Sequence, residues 1–99
     1  MSDKLRGGCL CGAVRYTVTT ESDEGYYCHC RMCQLAFGNT RAAFINVPQA
    51  SVRWLGEAPK HYASSKFALR GFCPDCGTPL SFAYVDSAKM DLSVGSLDE

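Results

Sequence analysis

Apolar and polar side chains alternate along short stretches of this chain, a pattern typical of β-strands with one buried face. The clearest stretch is Ala13–Thr20, in which Val14, Tyr16 and Val18 share one face and polar side chains occupy the other. The same reading predicts strands over Arg41–Val47, Ser51–Leu55, Lys60–Ala63, Phe67–Phe72, Leu80–Val85 and Met90–Val94. Segments rich in Gly, Pro, Asp and Ser separate these stretches and predict turns between them.

A helix is predicted only over Arg31–Phe37, where about two turns could form. The Gly38-Asn39 pair that follows is typical of a helix end. The pattern therefore predicts a mainly β fold of antiparallel sheets and hairpins with one short helical region. With 99 residues, the chain is expected to form a single domain over residues 1–99.

Composition limits the partners of this domain. Ten basic and ten acidic side chains balance, so no electrostatic attraction to nucleic acid or to a membrane surface is expected. The segment Met1–Gly8 lacks the apolar run of a signal peptide, and no stretch approaches the ~20 apolar residues of a membrane span. We therefore expect a soluble, cytoplasmic protein; the sequence does not predict its oligomeric state.

Cysteine is the residue type that suggests chemistry. The seven cysteines fall into three motifs, Cys9-Leu10-Cys11, Cys28-His29-Cys30-Arg31-Met32-Cys33 and Cys73-Pro74-Asp75-Cys76. In a reducing compartment, clustered cysteines are more often metal ligands than disulfides. Two pairs and a triad can form one closed site with four thiolates and one site with three thiolates and an open position, and this difference separates structural from catalytic zinc.

The motif Cys73-Pro74-Asp75-Cys76-Gly77 is typical of a metal-binding turn. Backbone N–H groups of such a turn point at the sulfurs, and Gly77 can adopt the positive φ that closes it. The alternative is a thioredoxin-type redox pair, which should open a helix. The residues that follow, Thr78–Phe82, have the pattern of a strand instead.

The motif Cys9-Leu10-Cys11 is shorter. In an extended segment its two sulfurs would face the same way and could reach one ion. We expect Cys73 and Cys76 to supply the remaining ligands, brought close by a strand pair that joins the termini of the fold. A local disulfide between Cys9 and Cys11 is the alternative.

The remaining motif supplies three sulfurs, from Cys28, Cys30 and Cys33. If the chain is extended up to Cys30, Cys28 and Cys30 share a face and His29 points away, which favours a packing role for His29 over a fourth-ligand role. Water, an exogenous thiol or a non-cysteine residue would then take the fourth position. The triad could also bind no metal, or bind it only structurally. His61, on a predicted strand, is expected to be a surface or hydrogen-bonded histidine.

Three segments of the chain, taken together and in their order, closely resemble the glutathione-dependent formaldehyde-activating family, which is also grouped with centromere protein V. These segments are Gly8-Cys9-Leu10-Cys11-Gly12, Cys28-His29-Cys30-Arg31-Met32-Cys33-Gln34 and Phe72-Cys73-Pro74-Asp75-Cys76-Gly77-Thr78. The resemblance extends through Val94-Gly95-Ser96-Leu97-Asp98, and all seven cysteine positions match. Relatives usually continue past this segment with further strands, so a chain that ends at Glu99 is expected to be shortened at its C-terminus.

The resemblance implies a β-tent of antiparallel sheets and two zinc ions. It implies that Cys9, Cys11, Cys73 and Cys76 hold a structural zinc, and that Cys28, Cys30 and Cys33 hold a catalytic zinc. The implied activity is that of a carbon–sulfur lyase or synthase acting on S-hydroxymethylglutathione, so the partners would be glutathione, as a small-molecule thiol, and an aldehyde. Arg31 or Arg41 could hold a glutathione carboxylate.

Two other functions stay open at this stage. A non-catalytic, zinc-stabilised binding module of the same fold would explain the lack of any further catalytic constellation in the sequence. An iron or redox protein of the rubredoxin type would need four thiolates on one iron, which Cys9, Cys11, Cys73 and Cys76 could supply.

Overall fold

The computed structural model describes residues 3–20 and 25–98 of the chain; Met1 and Ser2, which belong to the N-terminal segment discussed above, and Glu99 lie outside the described residues. The strands are β1 (Asp3–Gly8), β2 (Val14–Thr20), β3 (Gly25–Cys28), β4 (Ala42–Pro48), β5 (Val52–Gly56), β6 (Lys60–Ala63), β7 (Ala68–Phe72), β8 (Pro79–Tyr84) and β9 (Lys89–Ser93), and the helix α1 spans Arg31–Phe37. Two short 3-10 helices follow β4 and β9, over Gln49–Ser51 and Val94–Ser96. The predicted mainly β fold is confirmed.

The described strands form two antiparallel sheets. The first has the order β1-β2-β5, and the second has the order β3-β4-β9-β8-β7-β6. The helix prediction over Arg31–Phe37 and the strand prediction over Lys60–Ala63 match the observed bounds. The other predicted strands are found within one or two residues of their expected ends.

Strand β1 was not predicted, because its residues lack the alternation that marks a buried face. It contains one large apolar residue, Leu5, between Lys4 and Arg6, and ends in two glycines. The strand exists because all six of its residues pair with β2, from Asp3 opposite Thr20 to Gly8 opposite Arg15. Partner strands, rather than local propensity, therefore decide this edge of the sheet.

The main core lies between the two sheets. Its fully buried members include Val14, Tyr16 and Val18 of β2 and, from the second sheet, Val47, Leu80 and Leu92. The predicted apolar face of Ala13–Thr20 is therefore the face that packs on the second sheet.

The second sheet also packs on its other face. Phe44 and Ile45 are neighbours in β4, and because successive strand residues point to opposite faces, they belong to different buried clusters. Ile45 joins the main core, whereas Phe44 packs with Cys33 of α1. Helix α1 thus covers the outer face of the sheet, which positions the cysteine triad there.

Candidate metal centres

Cys9, Cys11, Cys73 and Cys76 come together where two hairpin turns meet. One turn joins β1 to β2 and the other joins β7 to β8, so each sheet contributes one turn. The four sulfurs lie within 4.8 Å of one another, with 3.6 Å between Cys9 and Cys11 and 3.7 Å between Cys11 and Cys73. A tetrahedral zinc ion with sulfur ligands at ~2.3 Å would separate those sulfurs by about 3.8 Å. The donor set and its spacing therefore fit zinc.

The turn at Cys73 has the predicted hydrogen bonds. The backbone N–H groups of Asp75 and Cys76 each donate to the Cys73 sulfur at 3.4 Å. Gly77 has φ +82° and donates its N–H to the Cys73 carbonyl at 2.9 Å. The positive φ predicted for this glycine is confirmed, and the strand β8 that follows excludes the helix that a thioredoxin-type motif needs.

The turn at Cys9 differs from its prediction. Residues 10 and 11 lie in a turn rather than in an extended segment, and the Gly12 N–H donates to the Cys9 carbonyl at 3.2 Å. The Val14 N–H donates to the Cys9 sulfur at 3.3 Å, as in the other turn. The expected strand pair between the termini does not bring the two cysteine pairs together; the facing hairpin turns of the two sheets do.

Thr78 connects the two turns, and its role was not predicted from the sequence. Its hydroxyl oxygen accepts a hydrogen bond from the Leu10 N–H at 3.0 Å and lies 3.1 Å from the Cys76 sulfur. Hydrogen bonds from the Thr78 side chain and then from the backbone lower the pKa of Cys76 to about 5. Because a metal binds the thiolate, this arrangement favours the ligand form. The available signal was the position of Thr78 directly after the Cys-x-x-Cys-Gly sequence.

The cysteine triad is local in sequence and open to solvent on one side. Cys28 ends β3, Cys30 caps the N-terminus of α1, and Cys33 lies in the first turn of that helix. The three sulfurs lie within 4.8 Å of one another, with 3.4 Å between Cys28 and Cys30. Cys33 is 4% exposed, Cys28 is half-buried and Cys30 is exposed. The triad could hold one metal ion, and three thiolates with an accessible side fit a zinc site that has an exchangeable position.

The start of the helix favours the thiolate form of Cys30. Its sulfur accepts a hydrogen bond from the Cys33 N–H at 3.4 Å, as a capping side chain does. This hydrogen bond, followed by those from the neighbouring thiols, lowers the pKa of Cys30 to about 7.

His29 is exposed, and within residues 3–20 and 25–98 it is not one of the groups clustered with the triad sulfurs. This position agrees with the expectation that His29 points away from Cys28 and Cys30. His61 is exposed on β6, as expected for a surface histidine.

Arg70 contacts the triad, whereas Arg31 and Arg41, the expected candidates for holding a glutathione carboxylate, make other contacts. The Arg70 Nη2 donates to the Cys33 sulfur at 3.6 Å. Arg31 donates to the Gln34 side chain at 3.3 Å, and the Arg41 guanidinium lies 4.1 Å from the ring centroid of Tyr27. Arg70 is far from the triad in sequence, and only the pairing of β7 in the sheet places it there.

Arg70 also compensates for the burial of Cys33. Burial raises the pKa of Cys33 to about 12, whereas the hydrogen bond and the charge of Arg70 lower it. The guanidinium therefore partly offsets the cost of a buried thiolate at this position.

Aromatic rings surround the buried side of the triad. The Phe44 ring contacts those of Tyr26, Phe37 and Phe82, with centroids 5.3–6.3 Å apart. The Tyr26 hydroxyl donates at 2.7 Å to Asp91, which is 7% exposed. Asn46 donates to the other carboxylate oxygen of Asp91 at 2.7 Å, so both oxygens have a donor. Burial, and then the hydrogen bond between Tyr26 and Asp91, raises the pKa of Tyr26 well above its usual range.

A cavity of about 180 Å³ adjoins this region. It is lined by Phe37 of α1, by Arg70 and Tyr62 from the neighbouring strands, and by Gly77 of the turn at Cys73. A water molecule occupies about 30 Å³ in the liquid, so the cavity has room for a ligand of a few heavy atoms.

Comparisons with known proteins agree with the geometry. The sequence model of the family described as glutathione-dependent formaldehyde-activating enzyme matches residues 4–99. An uncharacterized lyase of Schizosaccharomyces pombe is 39% identical over 83 residues, which cover 84% of this chain and 60% of that protein. The chain thus spans less than two thirds of the length of this relative.

A solved structure shares the fold. The crystal structure of a Rhodobacter sphaeroides protein superposes with a TM-score of 0.79 at 22% identity, covering 95% of this chain and 88% of that one. Within the described ranges, 3–20 and 25–98, no helix is long and apolar enough to cross a membrane.

Proposed function

Because the chain belongs to the glutathione-dependent formaldehyde-activating enzyme family, we propose that it is a zinc-dependent carbon–sulfur lyase or synthase acting on a glutathione–aldehyde adduct. In the synthetic direction the thiol sulfur bonds to the aldehyde carbon, the C=O π bond opens, and the thiol proton ends on the resulting hydroxyl. The reverse reaction breaks the C–S bond and returns thiol and aldehyde. No oxidant or reductant is needed, because the electrons of the π bond remain on oxygen.

The observation that carries this proposal is the open triad. When bound by Cys28, Cys30 and Cys33, zinc would supply a Lewis acid with an exchangeable position for a thiol sulfur or an aldehyde oxygen. Cys30 faces solvent and Cys33 is buried against the sheet, so a ligand can approach from one side only. Phe44 and Phe82 pack against the buried side of the triad.

The four-cysteine cluster has a different role in this proposal. Cys9, Cys11, Cys73 and Cys76 leave no position for a substrate on a tetrahedral ion, so a zinc there is structural. It would hold the turn of the first sheet against the turn of the second.

Exchange NMR tests the reaction. Fully zinc-loaded protein is added to glutathione and formaldehyde at equilibrium, and the interconversion rate with S-hydroxymethylglutathione is compared with the uncatalysed rate. We expect acceleration by the wild type and none by Cys28→Ser/Cys30→Ser. His29→Ala, which changes the exposed side chain between those two cysteines, is the matched control and should retain the acceleration.

Lack of acceleration by the fully loaded wild type would reject this substrate pair and favour a zinc-stabilised binding module. Visible colour in the purified protein, with iron in place of zinc, would favour the rubredoxin-type function instead.

A further inference from the structure

The negative charge of the triad opposes the binding of an anionic thiol, which the proposed function requires. Three thiolates around a divalent zinc leave a formal charge of −1, and an incoming thiolate would raise it to −2. Like charges at such short distances repel strongly wherever water screens them poorly. A thiol-binding triad therefore needs a nearby cation.

Arg70 is positioned to be that cation. Its Nη2 is 3.6 Å from the Cys33 sulfur, and no other guanidinium contacts a triad sulfur among residues 3–20 and 25–98. The guanidinium carbon lies 4.7 Å from the ring centroid of Phe82, which is directly opposite Arg70 in the β7–β8 register. The ring and the strand pairing fix the guanidinium, so its charge stays beside the thiolates.

One of the hydrogen-bond donors of Arg70 is unpartnered among the residues described. Its Nη1 is buried and has no hydrogen-bond partner within the described part of the chain. A buried unpartnered donor is unfavourable, and a guanidinium can bind two anionic groups at once through its two Nη atoms. Arg70 lines the cavity of about 180 Å³ described above, so there is space for a ligand beside this side chain.

We propose that Arg70 is the substrate-binding residue that allows the triad to accept an anionic thiol, with Nη2 on Cys33 and Nη1 on the incoming thiolate. The inference rests on the proposed function for the identity of the ligand as a thiol. It adds the residue that selects an anionic over a neutral ligand.

Ligand binding to cobalt-loaded protein tests this without any measurement of turnover. Cobalt(II) replaces zinc in both clusters, and the visible absorption reports a new ligand. Glutathione, 2-mercaptoethanol and the neutral ligand imidazole are titrated into wild type, Arg70→Gln and Arg70→Lys. Arg53→Gln, an exposed arginine on the other sheet, is the matched control.

We expect Arg70→Gln to weaken both thiols by about tenfold or more, because one positive charge near the bound thiolate is lost. Imidazole affinity should change by less than about twofold, since no charge is added to the site. Arg70→Lys should recover only part of the thiol affinity, because it restores the charge but not the two-pronged guanidinium, and Arg53→Gln should match the wild type. A distorted site would weaken imidazole and thiols together.

Equal thiol affinities of Arg70→Gln and wild type would overturn the inference, as would Arg70→Lys binding thiols as weakly as Arg70→Gln. If Arg70→Gln does not retain cobalt at the triad, the comparison of Arg70→Lys with wild type decides. Thiol affinity that depends on Arg70 in a protein that does not accelerate exchange would reject the proposed reaction and keep this inference. A wild type that binds neither thiol would reject both.

Discussion

The two cysteine clusters use the same ligand atom but are assembled in different ways. Cys11 and Cys73 are separated by 62 positions in sequence, and their turns belong to different sheets. The triad is contained within residues 28–33, at the junction of one strand and one helix. A metal in the first cluster would cross-link distant parts of the fold, whereas a metal in the second would cross-link residues that the helix start already brings together.

This difference predicts which of the two proposed metal ions would stabilise the protein more. Closing a long loop removes more freedom from the unfolded chain than closing a short one, and the difference grows with the logarithm of loop length. Local assembly, in turn, leaves one side of the triad free, because no second segment has to approach from there. The cluster whose cysteines are far apart in sequence is thus suited to stabilise the fold, and the cluster whose cysteines are close in sequence is suited to bind substrate.

The largest effect is expected from Cys73→Ser. Cys73 is fully buried, and its sulfur accepts two backbone hydrogen bonds. A structural zinc contributes an apparent ~10–16 kcal/mol, which is comparable with the ~5–15 kcal/mol net stability of a domain. We expect Cys73→Ser to show no cooperative unfolding transition in urea at 25 °C, measured by circular dichroism. Cys28→Ser is the matched control, and a Cys73→Ser protein that melts like this control would remove the distinction between the clusters.

A smaller effect on the fold is expected from Cys28→Ser/Cys30→Ser. Zinc content should fall from two ions per chain to one, since one of the two clusters loses its ligands. Serine is a favourable N-cap, so α1 keeps its cap at position 30, and the unfolding free energy should fall by much less than in Cys73→Ser. Zinc analysis and urea unfolding measure the two quantities. Retention of both ions, or collapse of the fold, would contradict the local character of the triad.

A hydrogen bond beside the four-cysteine cluster gives a scale for what non-metal contacts contribute there. The Tyr16 hydroxyl and the Ser96 hydroxyl are 2.6 Å apart, and both residues are buried. Tyr16→Phe removes this bond, while Ser96 retains its bonds to Ser93, so a loss of about 1 kcal/mol is expected. Tyr27→Phe, at an exposed ring, is the control in urea unfolding. A loss as large as that in Cys73→Ser would show that hydrogen bonding, and not metal, holds this region.

The smallest effect is expected at the Arg15–Asp98 ion pair in the same half of the molecule. Its shortest N–O distance is 2.6 Å, but both side chains are about 40% exposed (40% and 43%). The hydrogen bond from Arg15 holds the pKa of Asp98 below its usual value of 3.8, so the stabilisation is present above that pH and is lost as the pH falls through the lowered pKa.

Asp98→Asn should therefore lower the urea midpoint slightly, and by the same amount at pH 6 and pH 8, because the carboxylate is ionised at both. The decrease should shrink in high salt. A decrease that differs between pH 6 and pH 8 would assign the effect to a group other than Asp98.

Sequence patterns predicted correctly those elements whose conformation depends on neighbouring residues in the chain. Helix α1 was found at its predicted bounds because its capping residue Cys30 and its terminal Gly38, with φ +63°, act within one turn. Strand β1 was missed because its pairing with β2 decides its conformation. The turn at Cys9 was predicted to be extended because spacing alone does not distinguish an extended Cys-x-Cys from one in a tight turn.

The sequence by itself determined the candidate metal ligands and their grouping into two pairs and a triad, because the spacing of cysteines within each motif is a local property. Only the tertiary structure decided which residues tune those sulfurs. Thr78 joins two turns from different sheets, and Arg70 reaches Cys33 from a strand 37 positions away. Both contacts depend on strand register, and register is set by the packing of the whole sheet rather than by the residues on either side of the contact.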